Sequence, residues 1–341
     1  MNVVELTRAL VDIESITENE GKVGAYLLDY LSKLAAGTGG RVEKMNVEPG
    51  RFNVLATWDE PVVTLSTHMD TVPPFFASRE DAEFVWGRGA CDAKGIIAAM
   101  IATAEKLLAG GTKNFALLFV VGEERNSAGA EVAARTGRGS KYLVNGEPTE
   151  SKLALASKGV LRYEVVAHGK MAHSAYPELG ESAIEALLDA LQAIRRVPLP
   201  KDGLLGPSTM NIGTISGGRA ANVIADAAKA EILVRLVGDA APIREAFSRA
   251  VGSRAELNEV LCIPPIHFQG VDGMPTTVVS FTTDVPVFGR SWGEPLLLGP
   301  GSIHVAHTAE ERISKRELAE AVQMYADVVK KLLAKASEGR E

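Results

Sequence analysis

Cysteine is nearly missing. Cys91 and Cys262 are the only two in 341 residues and lie far apart. Such a pair builds neither a disulfide framework nor a cysteine-ligated zinc site, and a reducing cytoplasm is the expected setting. An excess of positive charge is missing too. Lysine and arginine number 36 against 43 acidic residues, a formal charge of -7, so no nucleic-acid partner is expected. The mean charge does not exclude an anionic metabolite, because one metal centre and one arginine can outweigh it locally. Long apolar runs are also lacking: Phe115–Val121 and Ile96–Ala104 fall well short of a bilayer span. No membrane contact is expected. The start, MNVVELTRAL, shows neither a basic leader nor an apolar signal core, which predicts no secretion.

What is present, 46% apolar and 23% charged residues, is the composition of a globular protein. The length exceeds what a single core usually serves, so two domains are expected. From Gly24 to Leu34 the pattern reads as a helix, followed by a Gly- and Ala-rich stretch from Ser32 to Arg41. Val62–Thr67, Phe115–Val121 and Lys141–Val144 read as short strands. Gly95–Leu108 places Ile97, Met100, Ala104 and Leu107 on one helical face. Strands apolar on both faces and separated by helices predict an α/β domain with a mostly parallel sheet covered on both sides.

The character changes after about Ser157. Val160–Ala167 reads as a strand, Ser182–Ile194 as a helix, and Ser208–Ile215 and Ala227–Leu236 as strands separated by the Gly217-Gly218 turn. This is the grammar of a small α+β insert, ferredoxin-like in its order. The expected division is a discontinuous catalytic domain, 1–157 with 271–341, and an inserted domain, 158–270. A closing helix over Lys315–Ala334 carries the stripe Leu318, Val322, Tyr325, Val328, Val329 and Leu332.

The chemistry is concentrated where predicted strands end. Val62–Thr67 runs into His68-Met69-Asp70, Phe115–Val121 into Gly122-Glu123-Glu124, and Lys141–Asn145 into Gly146-Glu147; Asp92 stands just before a helix. Open α/β sheets bind ligands outside the carboxyl ends of their strands, so these residues can converge. His68, Asp92, Glu124, Glu147 and a late histidine supply nitrogen and carboxylate donors without thiolate, which suits zinc, cobalt or manganese. If Asp92 bridges two ions, His68 and Glu147 can hold one while Glu124 and His307 hold the other. Asp70 is then placed to accept the free N–H of His68, and Glu123 to stay off the metal as general base. Each residue also has an ordinary reading: His-x-Asp as a hydrogen-bonded pair, Glu-Glu as a wetted surface, Glu147-Pro148 as a turn, and His304 and His307 as loop decoration after Gly299-Pro300-Gly301. Cys91 reads as a buried neutral thiol.

The segments STHMDTVP (Ser66–Pro73), GRGACDAKG (Gly87–Gly95), VGEE (Val121–Glu124), NGEPT (Asn145–Thr149), GKMAHSAYPELG (Gly169–Gly180) and GPGSIHVAHTAEE (Gly299–Glu311) resemble, in order, the motifs of the acetylornithine deacetylase and succinyl-diaminopimelate desuccinylase family of metallopeptidases. The resemblance spans nearly the whole chain. It implies two zinc ions, one held by His68 and Glu147, the other by Glu124 and His307, with Asp92 bridging. It further implies Glu123 as catalytic base, Asp70 as the residue orienting His68, and the insert as a lid and dimerisation domain. His173 then serves the partner's site in a homodimer, Asn222 touches substrate and Arg235 meets its carboxylate. The family often has proline after Asn-Val-Ile, where this chain has Ala225. For Arg235 the ordinary alternative is pairing with Glu231 or Asp226, and His304 is assigned only a pocket position. The resulting expectation is hydrolysis of a small N-acyl amino acid, such as acetylornithine or a related N-acetyl or N-succinyl basic amino acid. The runner-up is an aminopeptidase or carboxypeptidase acting on short peptides with the same centre. A metal-dependent binding protein without catalysis is a third reading.

Overall fold

A computed structural model describes residues 1–338. They divide into two compact units. The first comprises Met1–Leu155, Phe268–Thr277 and the chain from Thr283 onward; the second comprises Ala156–His267 and Val278–Thr282. No described helix is long and apolar enough to cross a membrane.

The first unit is built on a six-stranded mixed sheet. Its strands lie in the order Arg41–Glu48, Arg51–Trp58, Phe115–Val120, Val63–His68, Tyr142–Asn145 and Glu294–Leu297. The last four pair in parallel, and the first two add an antiparallel ribbon at one edge. Phe115–Val120 and Val63–His68 are buried along their whole length, as expected of central strands covered on both faces. Register then decides what happens at their ends. His68 aligns with Val120, and Ser66 with both Leu118 and Asn145, so the residues that follow these strands emerge side by side at one edge of the sheet.

The helix Lys94–Ala109 is buried over most of its circumference, which explains why apolar residues spread beyond one face. The closing helix Lys315–Glu338 packs against it, with Leu318, Tyr325, Val328, Val329 and Leu332 buried. The helix Gly21–Thr38 runs through the Ala-rich stretch that reads as its end, since alanine sustains a helix. The ribbon Arg41–Trp58 has no clean alternation in its outer strand, which is exposed along much of its length, and periodicity alone does not reveal it.

In the second unit, the strands Thr209–Gly217, Ala227–Leu236, Gly159–His168 and Glu256–Ile263 form an antiparallel sheet in that order. Alternate residues of Ala227–Leu236 are buried, and Leu161, Tyr163, Val165, Leu187, Leu191 and Phe247 share its core. The helices Ala183–Arg195 and Ala241–Val251 supply the rest of that core. Ser182 caps the first by accepting the N–H of Glu185. The strand Glu256–Ile263 completes the ferredoxin-like order. A register shift between Glu259 and Leu261 interrupts its alternation, as bulges do.

Candidate metal centre

His68 is the last residue of its strand and is buried. Its Nε2 stands 3.0 Å from Asp92 Oδ1. Its Nδ1 faces Asp70, 3.1 Å from the backbone carbonyl and 3.4 Å from Oδ1 of the carboxylate. The other oxygen of Asp92, Oδ2, lies 3.4 Å from His307 Nε2. His307 Nε2 is in turn 3.0 Å from Glu124 Oε1. One carboxylate thus sits between two imidazoles, and ligand atoms of His68, Asp92 and Glu124 fall within 4.8 Å of one another.

Glu147 follows the strand Tyr142–Asn145 and is buried, with Oε1 lacking any hydrogen-bond partner. A buried carboxylate oxygen without a partner is costly unless a cation completes it. Burial raises the Glu147 carboxyl well above its usual range, and nearby Asp92 adds to the effect. Burial, followed by Glu147, does the same to Glu123, and burial leads the upward shift of Glu124. Asp92 shows the opposite balance: burial works against its charge, but His307 and His68 hold it low. Acids crowded in this way, with two imidazoles and no thiolate, fit a divalent-cation site.

Gly122 makes the approach to Glu123 possible. Its φ is +82°, and a Cβ there would come within 2.9 Å of Asn126 Oδ1. The two glutamates that follow are pinned through their backbone, Glu123 N–H to Asp70 Oδ1 at 3.1 Å and Glu124 N–H to Asp70 Oδ2 at 3.2 Å. Thr17 donates a further hydrogen bond to Asp70 Oδ2 at 2.8 Å.

Asp284 has no counterpart in the sequence reading. It is buried, and neither carboxylate oxygen has a hydrogen-bond partner. Burial pushes its carboxyl up to about 7, opposed by the approach of Ser127. In sequence, an aspartate before Val-Pro reads as an ordinary helix start. His304 is brought to no carboxylate of the cluster; its backbone N–H meets Ser302 Oγ. Cys91 is buried beside Ser302, and burial pushes its thiol well up.

His173, Asn222 and Arg235 lie in the second unit. His173 bridges to Val223, and the N–H of Ser174 donates to the carbonyl of Asn222, so the first two are neighbours. Nδ1 of His173 accepts the N–H of Ala175 at 3.1 Å, which leaves Nε2 to carry the proton of the neutral ring. Arg235 aligns with Val160 and Thr209, at the opposite end of its strand from Ala227. Of its two suggested partners, Asp226 is held by Arg219 at 2.9 Å and 3.2 Å. Among the described residues no acid lies within ion-pair distance of Arg235. Burial alone depresses its guanidinium.

Comparison with known proteins agrees with this layout. Residues 155–255 match the model of the peptidase dimerisation domain, M20_dimer. A peptidase M20 domain-containing protein of Schizosaccharomyces pombe is 38% identical over 96% of this chain and 84% of its own length. A probable carboxypeptidase of Aspergillus flavus is also 38% identical, over 93% of this chain and 87% of its own. A tripeptidase structure from Staphylococcus aureus shares the fold, with a TM-score of 0.82 at 20% identity, covering 97% of this chain and 98% of that one. The chain belongs to the M20 peptidase family of metal-dependent hydrolases.

Proposed function

We propose that this protein is a carboxypeptidase-like enzyme that removes the C-terminal residue of short peptides, using two divalent cations, zinc first among them. The observation that carries the reading is Asp92 set between His68 and His307, with a partnerless Glu147 oxygen beside them. Asp92 would bridge, His68 and Glu147 would hold one cation, and Glu124 and His307 the other. Bound there, the cations supply Lewis-acid polarisation of the scissile carbonyl and acidify water.

The chain's own residues do the rest. Glu123 takes a proton from the attacking water and delivers it to the departing amine. Burial, then the neighbouring Glu147, raises its carboxyl above the usual carboxylate range, the direction that strengthens it as a base. Asp70 keeps His68 oriented. His173 presents Nε2–H to the carbonyl oxygen as that atom gains negative charge, which favours the transition state over the reactant. Arg235, half-buried and without an acidic partner, receives the substrate's α-carboxylate, and Asn222 contacts the substrate near His173.

An N-acyl amino acid presents the same α-carboxylate, so the acetylornithine type of substrate shares this chemistry. The peptide reading is preferred because relatives similar over most of the chain carry the name carboxypeptidase. The enzyme is further proposed to be a homodimer through the second unit. Zinc-loaded protein assayed on N-protected dipeptides, free dipeptides, acetylornithine and succinyl-diaminopimelate tests the reading. Preference for the peptides supports it, and turnover confined to the N-acyl amino acids would reverse it.

A further inference from the structure

Glu311 is buried, with 1% of its surface exposed, inside the turn that leads to Asp92. Its Oε1 accepts backbone N–H groups from Gly89 at 2.9 Å, Asp92 at 3.1 Å and Cys91 at 3.3 Å. Arg88 Nη1 donates to Oε2 at 2.5 Å, and the N–H of Gly87 donates to the Glu311 carbonyl at 3.1 Å. The segment Gly87–Asp92 therefore folds around one carboxylate as a backbone anion nest. Gly89 has a φ of +85°, and a Cβ there would come within 2.8 Å of Thr71 Cγ2. The wrapping requires glycine at that point.

The same carboxylate reaches the nest from the segment that carries His307. Four residues after that histidine, Glu311 leads into Arg312–Ser314, which pairs with Phe84–Trp86 just before the nest. Arg88 is itself buried and fixed by Pro74 O and the ring of Phe76, so the carboxylate meets an immobile cation. A neutral acceptor would leave buried N–H groups or the guanidinium without a partner.

We propose that Glu311 is a positioning residue of the metal centre: by gripping Gly89–Asp92 from the segment that carries His307, it sets the spacing of Asp92 and His307 and thereby the affinity for divalent cations. This rests on the ligand set proposed above. The test titrates Zn²⁺ into metal-free wild type, Glu311→Gln and Leu27→Ala against a chromophoric chelator, with thermal melts of the metal-free forms. Leu27 is a core residue of the helix Gly21–Thr38. Glu311→Gln should weaken Zn²⁺ binding about 10- to 100-fold, the usual cost of losing a partner that orients a ligand, whereas Leu27→Ala should lower the melting temperature alone. A Glu311→Gln protein that melts earlier yet binds Zn²⁺ as tightly as wild type overturns the proposal. If that variant does not fold, Glu311→Asp, which keeps the charge but draws the carboxylate back from the three N–H groups by one methylene, takes its place: weakened binding supports the role and unchanged binding overturns it. Absence of Zn²⁺ uptake by wild type would instead overturn the ligand set itself.

Discussion

Asp70 Oδ1 accepts the backbone N–H of Glu123 at 3.1 Å and stands 3.4 Å from His68 Nδ1, so one carboxylate touches both a proposed ligand and the backbone of the proposed base. Changing Asp70 to Ala leaves His68 Nδ1 only the backbone carbonyl and strips the Glu123 and Glu124 N–H groups of their acceptor, at about 1–3 kcal/mol for each that stays buried. Zn²⁺ affinity or kcat should fall about 10- to 100-fold, read by chelator competition and steady-state kinetics. Wild-type values for both would remove Asp70 from the machinery.

Glu123 is proposed as base and not as ligand, so Glu123→Gln should retain its metal while losing roughly 10²–10⁴ in kcat. Elemental analysis alongside kinetics separates the two effects. Loss of metal would mean that Glu123 and Glu124 exchange roles.

His173 and Asn222 cluster at one end of the second unit's sheet, and Arg235 lies toward the other. If His173 serves the partner's site, His173→Ala should stay dimeric and metal-bound but lose about 10²-fold or more in kcat, the range for removing an oxyanion donor. Mixed dimers with Glu123→Gln should regain activity, because one of their two sites holds both an intact Glu123 and the partner's intact histidine. No recovery in verified heterodimers would place His173 in its own chain's site.

In the metal-free protein, Asp92 and then Glu124 raise His307 from 6.5 to about 10. A raised histidine stabilises the fold fully below its unfolded value and loses that contribution as pH climbs through its folded value. The melting-temperature advantage of metal-free wild type over His307→Gln should therefore be largest below pH 6.5 and vanish toward pH 10. Since a ligating histidine must be neutral, Zn²⁺ uptake at pH 8 should release about one proton more in wild type than in His307→Gln. Calorimetry in buffers of different ionisation enthalpy reads this, and equal release would exclude His307 as a ligand.

The central strands of the first unit were legible because residues buried on both faces leave runs such as Phe115–Val120, and the strand ends marked the acidic cluster. The bulged strand Glu256–Ile263 and the largely exposed outer strand Arg41–Glu48 were not, since neither keeps a regular period. Asp284 and Glu311 escaped for a different reason. What sets them apart is burial and partners: two orphaned oxygens in one case and three distant N–H groups in the other. Sequence order shows neither. Glu311 closes the Gly299–Glu311 motif, yet its link to Gly89–Asp92 exists only after the chain has closed across more than two hundred residues.

The most direct measurement is turnover of a matched pair of N-protected dipeptides, one ending in a free carboxylate and the other in an amide, by the zinc-loaded enzyme with and without a chelator. Hydrolysis of the free acid, abolished by the chelator, is expected. The rate on the amide should be about 10- to 100-fold lower, the size expected from losing a hydrogen bond to a charged group such as Arg235, worth about 1.5–3 kcal/mol. Equal rates on acid and amide, or hydrolysis that survives removal of the metal, would contradict the proposed function.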